Sequence, residues 1–218
     1  MKRKTTVIFD LDGTLLDTLN DLAKSVNYAL SLHKLPQRSF SEIRSFLGNG
    51  IHHLIKLSVP EELDERSFEK VFATFKAYYV EHSMDETIPF TGIIDLLKYL
   101  KEKDYKIAIV SNKLDVAVQD LNNSFFSSYI QVAIGENVGV RRKPAPDMIL
   151  KALRELKSEP ADSVYVGDSE VDIETSRNAE IDCICVSWGF RDKAFLEKNG
   201  AKVVLDTPQE MEEYLKLF

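Results

Sequence analysis

Thr6-Val7-Ile8-Phe9-Asp10-Leu11-Asp12-Gly13-Thr14 is the stretch that decides the fold. Its first four residues are β-branched or aromatic, the pattern of a strand covered on both faces, as in a parallel sheet. Two aspartates stand where that strand ends, a costly place for a carboxylate unless something pairs with it. Their spacing sends both side chains in similar directions, and Gly13 permits a sharp turn immediately after.

Three further segments repeat the theme of polar chemistry at a strand end or helix start. Gly167-Asp168-Ser169-Glu170-Val171-Asp172 follows the apolar run Val164–Val166. Asp168 and Asp172 share a face if the segment opens a helix, where the dipole also favours carboxylates. Val110-Ser111-Asn112 offers a hydroxyl and backbone amides to phosphoryl oxygens, and is also common turn chemistry. Arg142-Lys143-Pro144-Ala145-Pro146-Asp147 is stiffened by its prolines before a helix start. Its cations also read as a solvated basic run.

Working outward, the pattern predicts strands at Thr6–Phe9, Lys106–Val110, Ile130–Ile134, Ser163–Val166, Asp182–Ser187 and Lys202–Leu205. Helical periodicity lies between most of them, at Gly92–Lys103, Leu114–Asn122, Asp147–Leu156, Val171–Asn178 and Asp192–Lys198. This alternation gives an α/β fold, a doubly wound parallel sheet of the Rossmann-like kind. Ligands in such sheets bind beyond the carboxyl ends of the strands. One interval breaks the alternation. Leu19–Leu32, Phe40–Leu47, Ile51–Leu57 and Glu65–His82 read as successive helices, and Ser39 with Glu42 has the spacing of a capping box. Residues 18–87 therefore read as a helical insert in a core domain made of 1–17 and 88–218. Phe72, Phe75, Tyr78 and Tyr79 form an aromatic stripe expected in the core of that insert.

The 218 residues suffice for a real core, and 44% hydrophobic with 29% charged is ordinary for a soluble globular protein. A net charge of −7 argues against nucleic acid bound through a basic face. Lys2-Arg3-Lys4 is short and terminal and reads as a solvated tail. No apolar run approaches the ~20 residues that span a bilayer, and Asp10 and Asp12 interrupt the segment where a signal peptide would be apolar. The expected location is cytoplasmic, without a membrane partner. Cys183 and Cys185, two apart in an apolar run, read as small buried hydrophobes rather than a disulfide.

Folded in this way, Asp10, Asp12, Asp168 and Asp172 converge on one edge of the sheet. Two like charges ~4 Å apart repel by roughly 4 kcal/mol at an effective dielectric of 20. A divalent cation relieves this, and an all-oxygen site suits magnesium. Lys143 adds positive charge. Such a site takes an anion beside a metal, and a phosphoryl group fits.

The ordered set, Asp-Leu-Asp-Gly-Thr, Ser111, Lys143-Pro144 and Gly-Asp-x-x-x-Asp, resembles the four motifs of the haloacid dehalogenase superfamily over essentially the whole chain. The resemblance is to its phosphoglycolate phosphatase-like members. It implies that Asp10 is a nucleophile forming an aspartyl-phosphate. Asp12 is the acid and then the base, with its backbone carbonyl on the metal. Lys143 neutralises charge. Ser111 and the Asn112 backbone hold phosphoryl oxygens. Mg2+ is held by Asp10, Asp12, Asp168 and Asp172, the last directly or as support. The insert is a helical cap, in which Gly48 and Asn49 resemble a substrate-contacting loop. His52 and His53 project about 100° apart on a helix and do not form a chelating pair. The implied activity is a phosphatase for a small phosphorylated metabolite such as phosphoglycolate, as monomer or homodimer. The alternatives are a phosphomutase of the β-phosphoglucomutase type and a non-catalytic phosphate-binding module. Ala179-Glu180 departs from the Ala-Gly of many relatives and puts that loop's geometry in doubt. Trp188-Gly189-Phe190 resembles a family loop and is given no catalytic role.

Overall fold

The computed structural model describes residues 4–217. They form β1 (Thr6–Phe9), β2 (Leu16–Asp17), α1 (Leu19–Leu32), α2 (Phe40–Phe46), α3 (Gly50–Ser58), α4 (Glu65–His82), β3 (Ile88–Pro89), α5 (Ile93–Glu102), β4 (Lys106–Leu114), α6 (Asp115–Leu121), β5 (Val132–Glu136), α7 (Asp147–Leu156), β6 (Ser163–Gly167), α8 (Glu170–Asn178), β7 (Asp182–Val186), α9 (Lys193–Lys198), β8 (Val204–Leu205) and α10 (Pro208–Leu215). By contacts the chain separates into two compact units, Met1–Leu16 with Pro89–Phe218, and Asp17–Ile88.

The first unit is a six-stranded sheet in the order β5-β4-β1-β6-β7-β8, and its registered pairs are parallel. The chain winds outward from β1 through β4 to β5, then returns to β6 on the other side of β1 and continues to β8. That reversal is the switch point at which open α/β sheets bind ligands. It places Asp10, Ser111 and Asp168, each at or beyond the end of a central strand's pairing, side by side. Strand alternation sorts the side chains into two cores. Val7, Phe9, Ile107, Ile109, Val164 and Val166 pack with α5, α6 and α10. Ile8, Ala108, Val110 and Tyr165 face α7. Each of these strand residues is at most 2% exposed, which explains the near-continuous apolar reading of the strands.

The second unit holds α1 to α4. Leu22, Val26, Ala29 and Leu30 of α1, and Phe68, Val71, Phe75 and Tyr79 of α4, recur at helical spacing and are buried. Phe72 and Tyr78 are only half-buried. Tyr78 stacks between Tyr28 and His82, and the His52 ring stands edge-on to Phe68 and Phe72. The Ser39–Glu42 capping box forms as its spacing requires. Asp21 is 2% exposed and accepts from the amides of Glu86 and Thr87 and from the Thr87 hydroxyl. This ties the first helix of the unit to its last residues.

Several boundaries differ from those read in the sequence. β5 starts at Val132 rather than Ile130, and β4 runs on to Leu114 after a register shift past Val110. Residues 122–126 continue α6 as a π-helical turn, and α10 starts at Pro208 where no helix was expected. Lys4 is not solvated: it is 8% exposed, bonds the Ala161 carbonyl and pairs with Asp182. Lys2 and Arg3 lie outside the described residues. Cys183 and Cys185 are free, with their sulfurs 3.9 Å apart; Cys185 is buried and Cys183 half-buried. Among the described residues no helix is long and apolar enough to cross a membrane.

Glu180 keeps the left-handed conformation of the glycine it replaces, with φ of 55°. The Ile181 amide still closes back on the Ser176 carbonyl at 3.1 Å, so α8 ends in an ordinary left-handed turn. A side chain there costs on the order of 1–2 kcal/mol, partly offset by the greater unfolded freedom of glycine. Glu180→Gly should therefore stabilise the protein by about 0.5–1 kcal/mol in urea unfolding. A loss of stability would show that the Glu180 side chain contributes something the backbone account omits.

Candidate active site

The site begins with four carboxylates and two lysines. Asp10 leaves β1 with its own amide bonded to the Val166 carbonyl at 2.8 Å. It is 7% exposed and lies 2.9 Å from Lys143 Nζ. The same Nζ lies 2.8 Å from Asp172 and donates to the Tyr165 hydroxyl at 3.0 Å. Tyr165 in turn donates to Asp172 at 2.9 Å. Lys143 is thus no solvated cation. It is 2% exposed, at the centre of a buried network.

Asp172 receives Lys143 and Tyr165 on one oxygen, and the Ser169 amide and hydroxyl on the other. Four donors use up its acceptor capacity. Asp168 is 1% exposed and has only neutral partners: the Thr14 hydroxyl at 3.2 Å and the Phe190 amide at 2.7 Å. Asp12 stands apart from this group. Its carboxylate pairs with Lys113 at 2.9 Å.

Asp10, Asp168 and Asp172 each bring an oxygen within 4.8 Å of the other two. Lys143 is the sole cation among them that the ion pairs show, so the cluster retains excess negative charge. Burial raises Asp10 well above the ordinary carboxylate range against the pull of Lys143. Burial, then the charge of Asp172, pushes Asp168 up to about 7. Burial disfavours the charge on Lys143, but Asp10 and Asp172 more than offset it and hold its pKa above the usual lysine value. Hard oxygens, excess negative charge and one carboxylate lacking a cation fit a divalent ion of the magnesium type. The Asp12 side chain does not belong to that donor set.

The phosphate-binding candidates divide. Ser111 is buried, and its oxygen accepts from the Lys113 amide at 3.2 Å. Its hydroxyl proton is left free to donate. The Asn112 side chain spans the Lys143 backbone, accepting from its amide at 2.8 Å and donating to its carbonyl at 3.1 Å. This brace fixes Lys143 and was not foreseen. Gly48 and Asn49 belong to the helical unit, between α2 and α3, where Asn49 precedes α3 without a capping bond.

Sequence reasoning also missed the loop after β7. Its Phe190 amide holds Asp168, and Trp188 Nε1 donates to the Thr14 carbonyl at 3.0 Å. A Cβ on Gly189 would overlap the Gly13 carbonyl and the Asp168 side chain; one on Gly13 would overlap Asp168. These glycines let the backbone close directly around the carboxylate. Arg191, 9% exposed, pairs with Glu170 and ties the loop to the start of α8. The glycine in Trp-Gly-Phe was the one available signal.

Three comparisons bear on this geometry. The family model for haloacid dehalogenase-like hydrolases matches residues 7–186. The chain is 31% identical over 210 residues to pyrophosphatase PpaX of Listeria monocytogenes, covering 95% of this chain and 94% of that one. It is 30% identical over 185 residues to a phosphoglycolate phosphatase of Aquifex aeolicus, covering 84% and 85%. A crystal structure of a candidate phosphoglycolate phosphatase from Lactobacillus delbrueckii subsp. bulgaricus superposes with a TM-score of 0.92 at 38% identity, covering 98% and 99%.

The raised Asp168 predicts a pH effect with a definite sign. A carboxyl whose folded pKa lies near 7, against about 4 unfolded, contributes stability that is complete below about pH 4. That contribution is lost as pH rises through about 7, and Asp10 adds an effect of the same sign. In chelator, the melting temperature should fall across that window, and Asp168→Asn should reduce the fall. Added Mg2+ should raise the melting temperature more at about pH 8 than at about pH 5, because binding requires the deprotonated carboxylate. A metal-free melting temperature that does not change across this range would contradict the account.

Proposed function

The chain belongs to the haloacid dehalogenase-like hydrolases and is a phosphatase, and from that premise we propose that it hydrolyses small phosphate monoesters through an aspartyl-phosphate on Asp10, with Mg2+ as its cofactor. The observation that carries the reading is the division of charge. Lys143 serves Asp10 and Asp172, Lys113 serves Asp12, and Asp168 has neutral partners only.

An Asp10 oxygen attacks phosphorus as the bond from phosphorus to the leaving oxygen breaks. Asp12 delivers its proton to that oxygen, and the alcohol departs. Asp12 then takes a proton from water as the water oxygen bonds to phosphorus. The Asp10–phosphorus bond breaks, releasing phosphate and restoring the Asp10 carboxylate. Lys143 holds Asp10 in place and balances charge on the transferring group. The Ser111 hydroxyl and the Asn112 amide are assigned to the phosphoryl oxygens. Mg2+ would be held by Asp10, Asp168 and the Asp12 carbonyl, and when bound would supply positive charge to the phosphoryl group. The saturated donors around Asp172 favour a supporting role, holding Lys143 and the start of α8 in position, over direct ligation.

Phosphoglycolate is the leading substrate, supported by the relatives that carry its name, with pyrophosphate next. Those names support hydrolysis over a mutase reaction. Gly48 and Asn49 are proposed to contact the leaving group, on the resemblance of their loop.

Asp10→Asn should lower kcat by at least about 10^3-fold, and chelation should abolish wild-type turnover until Mg2+ is returned. Acid quench of the wild type with 32P-labelled substrate should trap label on Asp10. Full activity without metal, or in the Asp10→Asn variant, would overturn the reading.

A further inference from the structure

Lys113 is used by none of the steps above, yet it is one of two lysines buried at the site. Its side chain is 3% exposed and its Nζ meets Asp12 Oδ1 at 2.9 Å. The two residues are 101 positions apart, so the contact bridges the end of β4 and the turn after β1. The Asp12 side chain is 21% exposed. Its Oδ2 has no donor among the described residues, so one oxygen is pinned and the other faces outward.

The turn carrying Asp12 is itself stiff. The Leu11 carbonyl accepts from the amides of Thr14, Leu15 and Leu16, and Gly13 bonds Leu16 at 2.9 Å. On the other side, the Lys113 amide is bonded to Ser111. The pair therefore joins two braced backbones, and its distance is set by the fold rather than by side-chain chance. A buried lysine is costly unless it is paired. Asp12 is the charge partner that the ion pairs show for it.

We propose that Lys113 is a positioning residue for leaving-group protonation: by holding Asp12 Oδ1 it fixes the orientation of the carboxyl and leaves Oδ2 for the departing oxygen. The proposal rests on the reading of Asp12 as the leaving-group acid. It also sets a leaving-group dependence: esters of poor leaving groups, such as alkyl phosphates, need that proton, whereas an aryl phosphate with an acidic phenol does not.

The test is kcat/KM, which reports the steps through leaving-group departure, measured in Mg2+ for phosphoglycolate and for 4-nitrophenyl phosphate. Lys113→Met should lower the phosphoglycolate value at least about 30-fold and the nitrophenyl value less than about 3-fold, a split within the range of general acid catalysis. Lys113→Arg should recover part of the phosphoglycolate loss, which separates a charge effect from misfolding. In an Asp12→Asn background, Lys113→Met should cost phosphoglycolate turnover little more, because the two residues act as one unit. Equal losses on both esters, no loss on phosphoglycolate, or a full additional loss in the Asp12→Asn background would overturn the proposal. A wild-type chain that turned over neither ester would instead overturn the phosphatase reading itself.

Discussion

Three carboxylates, Asp10, Asp168 and Asp172, crowd one end of a buried parallel sheet with Asp12 set apart from them, and the mutual repulsion of the three is the constraint that organises the site. At ~4 Å each pair would cost several kcal/mol even in a partly polarisable interior. The structure answers with two lysines placed differently. Lys143 lies between Asp10 and Asp172 and compensates both. Lys113 pairs with Asp12. Asp168 gets neutral donors only, and it is the carboxyl pushed up to about 7. Burial also raises Asp10 despite Lys143, so the shortfall of positive charge falls on Asp10 and Asp168 together, where a divalent ion would relieve it.

That distribution depends on donors held by the backbone. Lys143 is set by the Asn112 side chain on its own peptide groups, and by Tyr165, which rises from the middle of β6 through the apolar face shared with α7. Asp168 is gripped by the Phe190 amide at the end of a loop that Arg191 and Trp188 fasten on either side. Preorganised dipoles of this kind need no rearrangement at the moment of reaction. They come from β1, β4, β6 and β7, so the winding order of the sheet is what makes the site possible. Single-residue signals cannot create it.

Much of this was legible in the sequence, and the reasons are physical. Strands buried on both faces are written in β-branched residues, which is why β1, β6 and β7 stand close to their expected places. Aspartates after such strands are conspicuous because burying them is costly. Lys113 was invisible because Ser-Asn-Lys reads as the end of a strand entering a turn, whereas β4 in fact continues through a register shift to Leu114. The Phe190 contact was invisible for another reason: a backbone amide has no residue signature, and only the neighbouring glycine hinted at close approach. Asn112 was read as a backbone donor, while its side chain does separate work on Lys143. At Glu180 the sequence showed the departure, but not that the backbone would keep the left-handed turn regardless.

On the proposed mechanism, the separation of Asp12 from the other three carboxylates suits the two roles the site would combine. A group that binds a metal or attacks phosphorus must stay deprotonated and fixed, whereas one that exchanges protons must cycle between states. Had Asp12 shared Lys143, each proton it gained or lost would have altered the field on Asp10 and Asp172 at hydrogen-bond range. Pairing Asp12 with a different lysine, at the end of β4, keeps that change away from the Asp10–Lys143–Asp172 contacts. Buried ion pairs contribute little net stability and a great deal of geometry. The two pairs here use that property in different ways: Lys143 ties Asp10 and Asp172 together, and Lys113 holds one oxygen of Asp12 while leaving the other for the proton transfer proposed above.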